Sequence, residues 1–137
     1  MNIEDFNFFN KIRDFVAQNA KDKGFRAQMA EGLTPEQWEG PVGDRLRAAI
    51  FTSNQHGEAS EFWEAFRNGK LNHLCDKAEK MMVLGLDPLT YAEEEIADEI
   101  IRVLDKAEQF RVDVAKAVYN KAMYNASRPA LHGGKKA

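Results

Sequence analysis

The apolar residues of this chain recur at three- and four-residue spacing almost from end to end, a period that suits helices and not strands. Phe6, Phe9, Ile12, Phe15 and Val16 set the pattern in a first helix expected from about Ile3 to Ala20, closed by Lys21-Asp22-Lys23-Gly24. Thr34-Pro35-Glu36-Gln37 reads as a helix start, with a threonine cap, proline at the first helical position and glutamine in the capping-box position. Gly40-Pro41 breaks that short helix. Asp44 is then expected to cap a long helix to about Arg67, ended by Asn68-Gly69. The stretch from Lys70 to Leu86 is less regular and leaves room for one short helix. Thr90 and Glu93 form a second capping box and open a helix to about Phe110. Arg111-Val112 is a tight connection, and Asp113 caps a last helix ending at Arg128, before Pro129. No alternating pattern and no internal repeat competes. The expected fold is all-α, a four-helix bundle or a relative of one.

Composition narrows the class. The 137 residues fit one domain over 1–137, and 44% hydrophobic residues suffice for a single core. Nineteen Lys and Arg against 22 Asp and Glu leave a net charge of −3, which argues against a basic nucleic-acid binder and against an acidic disordered chain. The single cysteine, Cys75, excludes an internal disulfide framework and a Cys-rich zinc site. The N-terminus lacks the basic and apolar regions of a signal peptide, and no stretch approaches the roughly 18 apolar residues of a membrane span. These features lead us to expect a soluble cytoplasmic protein with neither a nucleic-acid nor a membrane partner.

The acidic residues carry the chemistry. On a wheel of about 100° per residue, Glu58 projects among Phe51, Phe62 and Ala65, away from the polar face of Ser53, His56, Ser60, Glu64 and Arg67. Glu61 follows one turn on, on the same side. Burying two carboxylates without a counter-charge costs several kcal/mol each, so they call for a cation, a metal or raised pKa values. On the next helix Glu95 and Asp98 share a face at the same i, i+3 spacing. Acids in a first turn also serve the helix dipole; the pairing with Glu58 and Glu61 is what points to one hard cation held by oxygen ligands, Mg²⁺ or Mn²⁺. A di-iron bundle would ask for Glu-x-x-His motifs, and the chain has none.

Lys121, Asn125 and Arg128 make an i, i+4, i+7 stripe on the last helix, flanked by Tyr124. The short connection near Val112 predicts that the last two helices pack antiparallel, which would set this stripe beside Asp98. Cations beside metal-binding acids suit a polyphosphate; ordinary interhelical ion pairing is the other reading. Asn54 lies one turn before Glu58, within reach of a ribose or base. Phe51, Phe62, Trp63 and Trp38 are further candidates for a base pocket, although aromatics at helical spacing usually belong to a core.

At these residues the sequence resembles the MazG-like, all-α nucleoside triphosphate pyrophosphohydrolases. Their hallmark, E-x-x-E on one helix and E-x-x-D on a later one, reads here Glu58-Ala59-Ser60-Glu61 and Glu95-Ile96-Ala97-Asp98. HGEASEFWEAFRNG surrounds the first pair and EEEIADEIIRVLDKA the second, followed by NKAMYNASRPALHGGKK. The likeness covers roughly Phe51 to Lys136, with a variable stretch near Leu71–Thr90. It implies a single MazG-like domain whose motif-bearing part spans about 44–130, with a basic Gly-rich tail at 131–137. It also implies Mg²⁺-dependent cleavage of a (d)NTP between the α and β phosphates, giving (d)NMP and pyrophosphate in nucleotide-pool housecleaning. Glu58, Glu61, Glu95 and Asp98 would be catalytic metal ligands, and Lys121, Asn125 and Arg128 would contact phosphates. A homodimer or homotetramer is implied as the assembly. Some relatives carry a further Glu directly before the first motif glutamate; Gly57 stands there in this chain. Glu94, Glu64, a motif acid or the metal itself would then have to serve in activating water. Two other readings stay open: a relative acting on phosphoribosyl-ATP, and a catalytically silent helical module that binds nucleotides or a protein.

Overall fold

The computed structural model describes residues 1–130, and these are all-α. A 3-10 turn at Ile3–Phe6 precedes α1 (Phe8–Asp22), α2 (Phe25–Met29), α3 (Pro35–Glu39), α4 (Pro41–Arg67), α5 (Ala78–Val83), α6 (Tyr91–Gln109) and α7 (Val114–Ser127). Among the described residues the nearest approach to a sheet is a single bridge between Leu74 and Thr90. No helix of the described residues is long and apolar enough to cross a membrane.

Capping chemistry sets most of the boundaries. Both expected capping boxes form: the Thr34 hydroxyl accepts from the Gln37 N–H, and the Thr90 hydroxyl from the Glu93 N–H. The Asp113 side chain accepts from the Lys116 N–H and opens α7. The start of α4 differs from the expectation. Pro41 is its first residue with Gly40 as cap, and Asp44 sits inside the first turn, paired with Arg47 at 2.7 Å. Proline needs no N–H partner at a first helical position, so Gly40-Pro41 ends α3 and starts α4 in one step. Gly43 makes this close join possible: a Cβ there would lie 1.8 Å from the Trp38 carbonyl oxygen. The first expected helix is likewise split, because the Asn2 side chain caps a separate 3-10 turn ahead of α1. The short helix α2 is an element that the apolar pattern did not announce.

The core lies where α6 packs between α4 and α1. Helices α4 and α6 run antiparallel, with Lys106 donating to Gln55 at 2.5 Å and Arg102 to Glu58 at 2.8 Å. Phe51 and Leu104 are buried, and the Arg26 guanidinium covers the Phe51 ring while pairing with the buried Asp105. The chain then turns away. Arg111 takes a left-handed φ of 56°, Arg13 donates to the Val112 carbonyl, and the Asn10 side chain accepts from the N–H groups of Val114 and Ala115. These contacts draw the start of α7 onto α1, and the Tyr119 ring meets Phe6 edge-on at 5.5 Å. Helix α7 therefore packs on α1 and the N-terminal turn rather than back along α6, which corrects the antiparallel expectation for the last two helices.

Candidate metal centre

The antiparallel α4–α6 pair brings acids from both helices to one place. Glu58, Glu95 and Asp98 each present a carboxylate oxygen, and the three atoms lie within 4.8 Å of one another. Glu58 and Glu95 are buried, and Asp98 is half-buried. The i, i+3 spacing on α6 puts Glu95 and Asp98 on the side that meets α4, where Glu58 sits one helical level away.

The electrostatics show what this costs. Burial, followed by the neighbouring Glu61 charge, pushes Glu95 up to about 7. Asp98 is raised by desolvation and then by Glu58. Glu61 lies on the exposed side of the cluster and is not within the tight group of three. Desolvation and the adjacent Glu58 raise it as well. One atom lacks a counterpart among the described residues: Glu95 Oε2 is buried with no hydrogen-bond partner there. A buried carboxylate oxygen that faces other carboxylates and no donor fits a bound cation. The donor set is all oxygen, as Mg²⁺ or Mn²⁺ prefers.

Two cations near the cluster escaped the sequence reading. Arg102, one turn beyond Asp98, donates from Nε to Glu58 and fixes that carboxylate. Lys77, just before α5, pairs with the buried Glu94 and has its own pKa raised by that bond. Glu94 is thus tied to Lys77 by this ion pair. Glu64 remains exposed beside the site. It lines a cleft of about 340 Å³ with Glu61, Asn68, Lys70, Lys77, Tyr91 and Glu95. The i, i+4 position of Arg102 relative to Asp98 was readable from α6; Lys77 and Lys70 arrive through an irregular segment with no periodicity to place them.

The remaining candidates are dispersed. Lys121 and Arg128 both approach the Tyr124 ring, at 4.9 and 5.8 Å, on a helix that packs against α1. Within one chain they form a cation–π group on α7 and not a wall of the acidic centre. Asn54 is half-buried on α4, one turn before Glu58. Phe51 is a core residue under Arg26, Trp38 is covered by Arg47 at 4.4 Å, and Trp63 is exposed and stacked on Phe66 at 5.6 Å. These aromatics do not converge on a single base pocket. The HGGKK end of the motif falls outside the described residues. Gly57 is exposed, with nothing within 4 Å of a Cβ built on it, so packing does not require glycine there.

Comparison of the chain with protein-family models, with curated proteins and with solved structures returns no match.

Proposed function

We infer that the protein is a Mg²⁺-dependent nucleoside triphosphate pyrophosphohydrolase of the MazG-like kind, cleaving a (d)NTP to the (d)NMP and pyrophosphate. One observation carries this reading: three helix-borne carboxylates meet within 4.8 Å, and a buried oxygen of one of them has no donor among the described residues. The four long helices α1, α4, α6 and α7 would be the counterparts of that family's four-helix-bundle fold. Glu58, Glu95 and Asp98 would hold the metal directly, with Glu61 at the mouth of the site. Mn²⁺ would serve the same oxygen set.

A triphosphate carries about four negative charges and would be repelled by these acids alone. Bound Mg²⁺ would supply charge neutralisation between the two sets and Lewis acidity at the α–β phosphoanhydride. The chain's own residues do the rest. Arg102 holds Glu58 in place. Lys70 and Lys77 line the adjoining cleft, where phosphate oxygens could be met by cations. Glu64, an exposed carboxylate on the same cleft as Glu61 and Asp76, would be the candidate for orienting water. Lys121, Asn125 and Arg128 would contact phosphates only where a second chain brings its own α7 to these acids. The role in nucleotide-pool housecleaning follows from the reaction class.

The decisive test is purified protein with Mg²⁺ or Mn²⁺ against a panel of NTPs, dNTPs and phosphoribosyl-ATP, scored for pyrophosphate. Turnover lost in Glu95→Gln and Asp98→Asn supports the reading. Absence of pyrophosphate and monophosphate with every substrate sinks it, and nucleotide or protein binding with no metal dependence would favour the silent module.

A further inference from the structure

Two groups of donors stand side by side at the start of α6, and they differ in one respect. Glu95 belongs to the centre already described, where Glu58, Glu95 and Asp98 converge and the buried Glu95 Oε2 has no donor among the described residues. Its neighbour Glu94 turns away by about 100° around the helix and meets Cys75 and Asp76. One Sγ and two carboxylate oxygens again lie within 4.8 Å of one another. Glu94 and Cys75 are each only 4% exposed. By its donors alone, the second group could hold a metal as readily as the first.

The second group already holds a cation. The Lys77 ammonium is bonded to the Glu94 carboxylate and lies 3.6 Å from Asp76. Nothing comparable enters the first group: Arg102 serves Glu58 alone, through Nε, and leaves Glu95 Oε2 without a donor. The two groups also share one field. Asp98 is raised by burial, then by Glu58 and Glu94, and the Lys77 charge opposes that rise ahead of Arg102. We propose that the acidic centre takes one divalent ion and that Lys77 is its built-in second cation, filling the place that Cys75, Asp76 and Glu94 would otherwise offer to a thiophilic metal. This rests on the metal reading of Glu58, Glu95 and Asp98 and adds to it the number of ions held.

Three features keep a metal out of the second group while Lys77 is in place. A divalent ion would have to displace a charge-assisted bond to a buried carboxylate. It would need the Cys75 thiolate, and burial raises that thiol, with the Lys77 backbone N–H opposing and the Glu94 charge adding to the rise. Mg²⁺ and Mn²⁺ also seek oxygen ligands, not sulfur. The ammonium meets none of these obstacles, and being tethered it does not leave when solution metal falls. The Lys77 side chain is 57% exposed and lines the cleft with Glu61 and Glu95. The group that neutralises Glu94 therefore also stands at the cleft. A polyphosphate bound there would meet one metal ion and one ammonium in place of two metal ions.

Metal stoichiometry and cobalt absorption test this without any substrate. Calorimetric titration of the full chain with Mn²⁺ should show one equivalent, and Co²⁺ should bind without the near-ultraviolet charge-transfer band of a thiolate ligand. Lys77→Met removes the ammonium and should admit a second equivalent of Co²⁺ with that band. Adding Cys75→Ser should abolish the band. Lys77→Arg keeps the charge and should stay at one equivalent. Circular dichroism checks that each variant keeps the helix content of the wild type. A wild-type chain that takes two ions, or that shows the thiolate band, overturns the proposal and leaves the hydrolase reading standing. A folded Lys77→Met that still takes one ion with no band also overturns it, because Lys77 is then not what fills the place. Binding of neither metal overturns both readings. The wild-type titration decides whether or not Lys77→Met folds.

Discussion

Replacing Glu95 by glutamine should make the metal-free protein more stable at alkaline pH while removing its response to metal. Glu95 sits at about 7 in the folded chain, against the ordinary value of 4.5, because it is buried and faces Glu61. Folding therefore favours the protonated acid. Its stabilising share is complete below about pH 4.5 and is lost as the pH rises through about 7. Raising a carboxyl from 4.5 to about 7 corresponds to roughly 3 kcal/mol, or about 10 °C in Tm for a domain of this size. Glutamine keeps the shape and never ionises. In EDTA, the Tm of Glu95→Gln relative to wild type should thus climb by several degrees between pH 5 and pH 8. Saturating Mg²⁺ at pH 8 should raise the wild-type Tm and leave the variant unmoved, since a ligand held at about 100 times its Kd stabilises by roughly 2.7 kcal/mol. Differential scanning fluorimetry across a pH series, with and without metal, reads both effects. A Tm difference that stays flat from pH 5 to 8 would refute the reasoning, for it would mean that the buried oxygen has a donor after all.

Other substitutions probe the frame around the centre. Gly43→Ala should cost at least about 3 kcal/mol, because its Cβ would overlap the Trp38 backbone, whereas Gly57→Ala in the same helix should gain about 1 kcal/mol; thermal melts of the pair distinguish packing from propensity. Arg26→Met leaves Asp105 buried without its partner and should destabilise by about 3–5 kcal/mol, measurable by urea denaturation. Arg102→Gln releases Glu58 and should weaken Mn²⁺ binding by about 10–100-fold in calorimetry.

Much of the fold was legible because its punctuation is local. Thr34, Thr90 and Asp113 each announce a helix through a bond to a residue three positions on, and all three bonds are present. The acidic centre was legible for the same reason: i, i+3 spacing fixes a shared face, and two such faces on packed helices must choose whether to meet. What a wheel cannot give is the path of a connection. A single left-handed residue, Arg111, and the reach of Asn10 and Arg13 across some hundred residues decide that α7 goes to α1. The periodicity was also silent on which apolar arc becomes core. Ile96, Ile100 and Val103 look like the inner face of α6, yet the side that meets α4 is charged and held by Arg102 and Lys106.

The segment between α4 and α6 is tied down at both ends and free between them. The Ala92, Tyr91 and Cys75 amides bond the Leu71, His73 and Leu89 carbonyls, and Lys77 reaches Glu94. Beyond those ties, Val83 and Leu84 stand 87% and 74% exposed before the turn at Gly85. The geometry of the acids is thereby uncoupled from the length of chain that joins them. Because lengthening a loop adds only about 0.6 kcal/mol per doubling, this turn can drift in sequence, or accept an inserted label, while the carboxylates on α4 and α6 keep their register.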